Sequence, residues 1–188
     1  MDAAQRTYQL MKLTSMAMAA AQSGDYNATV EILTQALRLA PNDGAMLHNR
    51  GMAHSHLQRW REALADFDRA IAVDPQPTTY EQRGLVHYQV GNRQAARQDW
   101  EQTLRLNPRR TLALGNLGWL CIEDRDFRKA ADYFTRVISI EPTYAKAYEN
   151  RAKAYLEMGN LTQARADLTK ARALIESGQD TSNQEQYD

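Results

Sequence analysis

The sequence contains a single cysteine, no excess of either charge and no long apolar run. Cys121 alone can neither form a disulfide within the chain nor supply the thiol pairs of a zinc ribbon, and it favours a reducing compartment. Lys and Arg total 23, as do Asp and Glu, so no net field attracts nucleic acid or an anionic membrane. No segment approaches the roughly 20 apolar residues of a membrane-spanning helix.

Motifs for catalysis are also missing from the sequence. It has no Gly-rich phosphate loop, no serine in the Gly-x-Ser-x-Gly pattern and no acidic pair whose helical spacing indicates a site. The sequence therefore predicts a protein that is not an enzyme and that requires no cofactor.

What the sequence does contain is a repeat. Four prolines follow similar segments and are spaced 34, 33 and 34 residues apart: Pro41, Pro75, Pro108 and Pro142. Upstream of these prolines, or of the equivalent Glu176, the triplets NRG, QRG, NLG and NRA recur, beginning at Asn49, Gln82, Asn116 and Asn150. A period of 33 or 34 residues is typical of helical solenoids.

These residues resemble the tetratricopeptide repeat family from about residue 10 to residue 176. Five units follow, at 10–43, 44–76, 77–110, 111–144 and about 145–178, and positions below are counted from the first residue of each unit. The resemblance implies an all-α fold, a right-handed superhelical solenoid of five helix-turn-helix repeats.

Two features of the repeat have physical reasons. Position eight is small in every unit, as expected where two helices approach closely: Ala17, Gly51, Gly84, Gly118 and Ala152. Gly24, Gly91 and Gly159 suit a left-handed turn between the helices, which Gln58 and Arg125 must make less comfortably. Aromatic residues such as Trp60, Trp100 and Phe134 fall in packed columns.

The four histidines suggest a metal site, but the repeat separates them. His54 and His87 share position eleven, which faces the interior in this family, whereas His48 and His56 fall on the other face of their helix. Imidazoles so scattered cannot share one tetrahedral zinc at bond lengths of about 2 Å. We expect no metal site, and we expect Cys121, also at position eleven, to be an inert packed thiol.

By family analogy, the first helices line a concave groove that holds a peptide or a helix of a partner protein. The candidate binding residues are Asn49, Met52, Gln82, Leu85, Tyr88, Asn116, Trp119, Ile122, Lys146 and Asn150. The amides suit an extended peptide backbone, and the apolar members form a strip. Two alternatives remain open: the amides bond only to neighbouring helices, or the protein's own termini fill the groove.

One branch of the family clamps the acidic C-terminus of heat-shock chaperones. In the best-matching window only Asn116 and Lys146 fit its pattern, and Glu81 stands where a cation is needed. We therefore expect no carboxylate clamp of this kind.

The two ends of the chain carry separate expectations. Residues 1–9 should extend the first helix by about two turns, with Asp2 near its N-terminus. Arg165 and Arg172 replace aliphatic columns and supply part of a polar end face. Residues 177–188 are polar and lack periodicity, which predicts a disordered tail.

Three functions are compatible with the sequence. The first is a cytoplasmic scaffold or assembly factor that binds a partner protein in the groove. The second is a self-associating structural oligomer joined through the long, Met-rich first helix or end to end. The third is an RNA-binding helical-repeat protein, suggested by Arg105, Arg109 and Arg110.

Overall fold

The computed structural model describes residues 2–182, which contain ten helices and no strand. The helices are α1 (Ala3–Gln22), α2 (Tyr26–Leu39), α3 (Gly44–His56), α4 (Trp60–Val73), α5 (Pro77–Gln89), α6 (Arg93–Leu106), α7 (Thr111–Glu123), α8 (Phe127–Ile140), α9 (Ala145–Glu157) and α10 (Leu161–Glu176). The predicted all-α fold is confirmed. The chain divides into two compact units, Met1–Gln102 and Thr103–Asp188.

Short polar signals begin and end these helices. Asp2, Asp25, Asp43 and Asp126 are N-caps whose carboxylates accept a backbone hydrogen bond from the third helical residue. Three of the turns within pairs use a glycine with positive φ, and the other two place Gln58 at φ 56° and Arg125 at φ 62°. The expectation that these two residues make the same left-handed turn is therefore confirmed.

Close contact between the two helices of a pair explains the small residues at position eight. A Cβ atom added to Gly51 would lie 2.8 Å from the ring of Phe67, and one added to Gly118 would lie 2.9 Å from the ring of Phe134. At Gly84 the same atom would lie 2.6 Å from Nε1 of the Trp100 indole. Each glycine thus gives an aromatic ring of the second helix room to lie against the backbone of the first.

A buried ion pair joins the helices in three of the five pairs. Arg50 binds Asp66, Arg83 binds Asp99 and Arg151 binds Asp167, in each case through two hydrogen bonds of 2.6–2.9 Å. The arginine also reaches the preceding pair: Arg50 donates to Thr34, Arg83 to Asp68 and Arg151 to Thr135. In the first and fourth pairs the same two positions are apolar or aromatic, Met16 with Ile32 and Leu117 with Tyr133.

The segment after α10 turns back onto the start of α9. Asp180 accepts a hydrogen bond from the backbone amide of Ala145 at 3.0 Å, and the hydroxyl of Ser182 accepts one from the amide of Lys146 at 3.1 Å. These contacts satisfy amides that α9 itself leaves unpaired, because its N-cap Tyr144 has no side-chain cap bond. Residues 177–182 therefore differ from the disorder predicted for 177–188, and residues 183–188 lie outside the described part.

Removing the cap from α9 should weaken the second unit. Burial raises the pKa of Asp180, but hydrogen bonds from Ser182 and from the amide of Ala145 together lower it below its ordinary value. We expect Asp180→Ala to lower the free energy of unfolding by about 1 kcal/mol in urea titrations at pH 7. Because the pKa is lowered on folding, this contribution is present above about pH 4 and is lost as the pH falls further. An equal effect at pH 7 and pH 2.5 would show that the carboxylate is not the cause.

Removing one member of a buried ion pair should cost more than replacing both. Asp167→Ala leaves Arg151 partly buried without its carboxylate, and we expect a loss of about 3 kcal/mol in the same titration. Arg151→Leu with Asp167→Tyr installs the residues of the fourth pair and should recover most of that loss. Asp132, exposed on α8, offers a control whose replacement by Ala should change stability by less than about 0.5 kcal/mol. A double variant no more stable than Asp167→Ala would contradict this account.

Candidate functional site

The candidate residues of the first unit lie on α3 and α5 and are mostly packed. Asn49 is exposed, whereas Met52, Gln82, Leu85 and Tyr88 are half-buried. Met52 packs against the cluster around Phe67, and the Tyr88 ring lies 6.0 Å from the Trp100 ring. Only Asn49 of this group is freely accessible on its helix.

Position five lies at a junction between neighbouring first helices. His48 Nδ1 lies 3.0 Å from the hydroxyl of Thr79 on α5, and His48 is half-buried. Glu81, at the same position of α5, is completely buried. His48 lies on the face of α3 away from His54, as the sequence indicates, but α5 covers that part of α3.

His54 and His87 are each associated with a buried ion pair. His54 Nε2 lies 4.0 Å from Asp66, and His87 Nε2 lies 4.0 Å from Asp99. Burial is the largest influence and lowers the pKa of both imidazoles, although the carboxylates act in the opposite direction. Burial also lowers the pKa of His48. These imidazoles are thus held in the neutral form near pH 7.

Metal binding and thiol chemistry have no visible site in the described residues. Within 2–182 no three His, Cys, Asp or Glu side chains are grouped so that they could hold a metal ion. Cys121 is buried in a cluster with Ala130 and Phe134. No helix of the described chain is long and apolar enough to cross a membrane.

Trp119 is the candidate of the second unit that combines size with exposure. It is 37% exposed on α7, whereas its neighbours Leu117, Leu120 and Cys121 are buried. One turn earlier, a Cβ atom placed on Gly115 would meet no heavy atom within 4 Å, so there is open space beside the indole. The helix therefore presents an aromatic ring next to an unfilled position.

A lysine from α9 fixes one side of that ring. Lys153 Nζ lies 4.7 Å from the centroid of the Trp119 ring, within the range of a cation–π interaction. Such a contact is worth about 0.5–1 kcal/mol at an exposed site. Trp119 and Lys153 both stand at position nine of adjacent repeats, and this shared position is the sequence signal for their contact.

The other candidates of the second unit have different surroundings. Asn116 is half-buried, and its Nδ2 is buried without a hydrogen-bond partner among the described residues. Asn150 is half-buried, and Lys146 is exposed and bonded to Glu149 at 3.0 Å. Ile122 is buried among Ala130 and Phe134, so it differs from the groove-facing residue that was expected. Ile122 packs against α8 near the C-terminal end of α7 and does not present its side chain to solvent.

The surroundings of Trp119 suit a bound ligand. A side chain from outside can fill the space beside Gly115 against the indole, and a carbonyl or carboxylate can bind Lys153.

Comparison with known proteins gives the family. Three family models, each described as tetratricopeptide repeat, match residues 17–82, 82–145 and 122–173. The chain belongs to the tetratricopeptide repeat family. Similar relatives include human tetratricopeptide repeat protein 6, 30% identical over 73% of this chain and 27% of that protein, and mouse DnaJ homolog subfamily C member 7, 26% identical over 82% and 35%. The chain thus spans about a third or less of these relatives' lengths.

Solved structures share the tetratricopeptide fold at low sequence identity. MamA (residues 41 to the end) from Desulfovibrio magneticus RS-1 has a TM-score of 0.81 at 18% identity, over 90% of this chain and 96% of that chain. YrrB, described as a tetratricopeptide repeat protein with an unusual peptide-binding site, has a TM-score of 0.71 at 19% identity, over 84% and 82%. These likenesses concern the fold.

The lowered pKa values of the histidines predict an acid sensitivity. A group whose pKa falls on folding is protonated more readily in the unfolded chain, so stability is complete above about pH 6.5 and decreases as the pH falls. We expect the free energy of unfolding to fall between pH 7.5 and pH 5.5, and His54→Gln with His87→Gln to make that fall smaller. Circular dichroism during urea titration at both pH values measures it. An unchanged pH dependence in the double variant would mean that other groups cause the loss.

Proposed function

We propose that this tetratricopeptide repeat chain is a non-enzymatic scaffold or assembly factor that binds a peptide or helix of a partner protein on its first helices. Protein–protein interaction is the role that the tetratricopeptide fold suggests. Trp119 on α7 is the anchor in this proposal, with Lys153, Asn116 and Asn150 around it. A cytoplasmic location is part of the same proposal and rests on the presence of only one cysteine in the sequence.

The exposure of Trp119 is the observation that carries the proposal. At position 24 of their repeats, Phe67, Trp100 and Phe134 are each 1% exposed or less, and the indole of Trp100 donates a hydrogen bond to the carbonyl of Glu81 at 3.2 Å. Trp119 is stabilised from one side by Lys153 but is left open on the Gly115 side. Exposed aromatic residues beside an open space are typical anchors of protein interfaces.

The surroundings of Trp119 favour one type of ligand segment. The space beside Gly115 suits an apolar side chain, while Lys153 and the amides of Asn116 and Asn150 suit the acceptors and donors of an extended backbone. A peptide-binding site is also named for the similar structure YrrB. We therefore expect short peptides with an apolar residue next to an acidic residue to bind best.

Self-association is a second candidate because α1 exposes large apolar side chains. Tyr8, Met11, Met16 and Met18 are all exposed on this helix. An α1–α1 contact would bury them, and Met side chains adapt well to such contacts. Sedimentation at several protein concentrations separates this candidate from the first, since a peptide-binding monomer sediments independently of concentration.

Substitution of Trp119 should separate binding from stability. Peptides are first selected from a random 12-residue library on the full chain, and their affinities are then measured by fluorescence anisotropy. We expect Trp119→Ala to weaken binding by about 2 kcal/mol, or roughly 30-fold. It should cost less stability than Trp100→Ala, which removes a fully buried indole and should cost about 3–5 kcal/mol.

Lys153→Ala is the matched test of the neighbouring cation. It should weaken peptides that carry an acidic residue and leave neutral peptides nearly unchanged, because only the former bind the ammonium group. If Trp119→Ala unfolds the protein or leaves every selected peptide bound, the tryptophan is structural and the proposal fails.

A further inference from the structure

The outer face of α10 carries three large apolar side chains that are open to solvent, and the end of α9 adds a fourth. Leu161 is 67% exposed, Leu168 46% and Ile175 52% on α10, and Leu156 on α9 is 48% exposed. Leu156, Leu161 and Leu168 line one groove of about 290 Å³ together with Arg165, Thr169 and Arg172. The need for a polar end face does not explain these apolar side chains, because exposed apolar side chains lower solubility.

The same face of α2, α4 and α8 is covered by the helix that follows each of them. Position 24 is almost completely buried in α2, α4 and α8, where it is Leu33, Phe67 and Phe134, and α3, α5 and α9 pack next to these helices. On α8, Ala131 packs near Tyr155 of α9, and Ile138 packs against Tyr148. The face of α10 thus has the shape of a helix seat, and no described helix occupies it.

Thr169 on α10 makes the same local hydrogen bond as Thr135 on α8, which contacts a following helix. Its hydroxyl donates to the carbonyl of Arg165 at 2.8 Å, as the hydroxyl of Thr135 on α8 donates to the carbonyl of Ala131 at 2.8 Å. Thr135 then accepts a hydrogen bond at 3.0 Å from Arg151 of the helix seated on α8. On α10 the equivalent acceptor remains available in the described structure.

A pair of arginines distinguishes this face of α10 from the same face of the other second helices. Arg165 stands where α2, α4 and α8 have Val30, Leu64 and Ala131 and where α6 has Arg97, whereas Arg172 stands where all four helices are aliphatic, at Leu37, Ile71, Leu104 and Ile138. Both arginines are exposed; Arg172 bonds its own neighbour Glu176 at 2.7 Å. Such an exposed pair within one helix adds little stability, so Arg172 can exchange Glu176 for a better partner.

We infer that the α10 seat, formed by Leu156, Leu161, Arg165, Leu168, Thr169 and Arg172, binds an amphipathic helix of a partner protein whose apolar stripe is flanked by Asp or Glu. The stripe covers the leucines, and the carboxylates bind the two guanidinium groups in the fork geometry that arginine favours. This surface is separate from Trp119, so the inference does not depend on the proposed function.

A second copy of this chain is a poor occupant of the α10 seat. In a head-to-tail contact, α1 of the second copy would lie on α10, and its open stripe contains Tyr8, Lys12 and Met16. Helix α1 has no acidic residue from Ala3 to Gln22. Lys12 and Arg6 would then face Arg165 and Arg172, and like charges in contact oppose association.

The test uses two matched, stapled 16-residue helical peptides, because short free helices are marginal in water. Both carry the same leucine stripe, flanked by Glu in one peptide and by Lys in the other. We expect the full chain to bind the Glu peptide about tenfold more tightly than the Lys peptide, and Arg165→Glu with Arg172→Glu to reverse that order. Leu168→Asp should weaken both peptides, and Trp119→Ala, on another helix, should leave both affinities unchanged.

Four results would overturn the inference. The first is that neither peptide binds, in which case the arginines only solubilise the end face. The second is that both bind equally and insensitively to Arg165→Glu with Arg172→Glu. The third is a concentration-dependent dimer that Leu168→Asp abolishes, which would make a second copy the occupant. The fourth is that a chain ending at Ser182 binds the Glu peptide about tenfold more tightly than the full chain, which would show that residues 183–188 occupy the seat.

Discussion

The close approach of two helices within each repeat is the constraint on which the rest of this structure depends. An aromatic ring from the second helix lies against a glycine of the first in three successive pairs, at distances where a single methyl group would clash. Because no Cβ atom intervenes, the rings of Phe67, Trp100 and Phe134 lie against the backbone of the first helix and are each 1% exposed or less. The two helices of each pair are thereby packed closely together. Trp119 lies outside this ring-against-glycine contact and is not needed for it.

The second contact within a pair is made in one of two ways along the chain. Three repeats use a buried arginine–aspartate pair, and two use apolar or aromatic residues at the same positions. An ion pair of this kind adds little net stability relative to well-packed apolar residues, because desolvation offsets most of the attraction. Its arginine, however, also bonds the preceding repeat, so it fixes how one pair is set against the next. In the third repeat, hydrogen bonds to Asp99 and to Asp68 of the preceding repeat raise the pKa of Arg83.

The sequence predicts those features that each repeat determines by itself. Proline spacing, small residues at position eight and the turns at Gln58 and Arg125 all follow from local requirements, and the structure has them. Features that depend on a neighbouring helix were missed. His48 and Ile122 count as open positions when one repeat is considered alone, yet α5 reaches His48, and Ile122 packs into the core cluster of α8. The cap on α9 was also missed, because Asp180 comes from a segment 35 residues later that has no repeat signal.

A related limit applies to the ion pairs, for which a signal existed. Arginine at position seven and aspartate at position 23 occur together in three repeats and are absent together in the other two, always 16 residues apart. Residues that are gained and lost together at a fixed spacing indicate a contact even within one sequence.

The same reasoning applies to the outer face of α10, because Arg165 and Arg172 are both present only in the repeat whose outer face is open. If these arginines served only to keep the end face soluble, Leu161, Leu168 and Ile175 would have no reason to remain apolar beside them. Leu156 lies one helical turn from Lys153 on α9, yet the two proposed sites of this unit share no residue, so substitutions can test each site by itself.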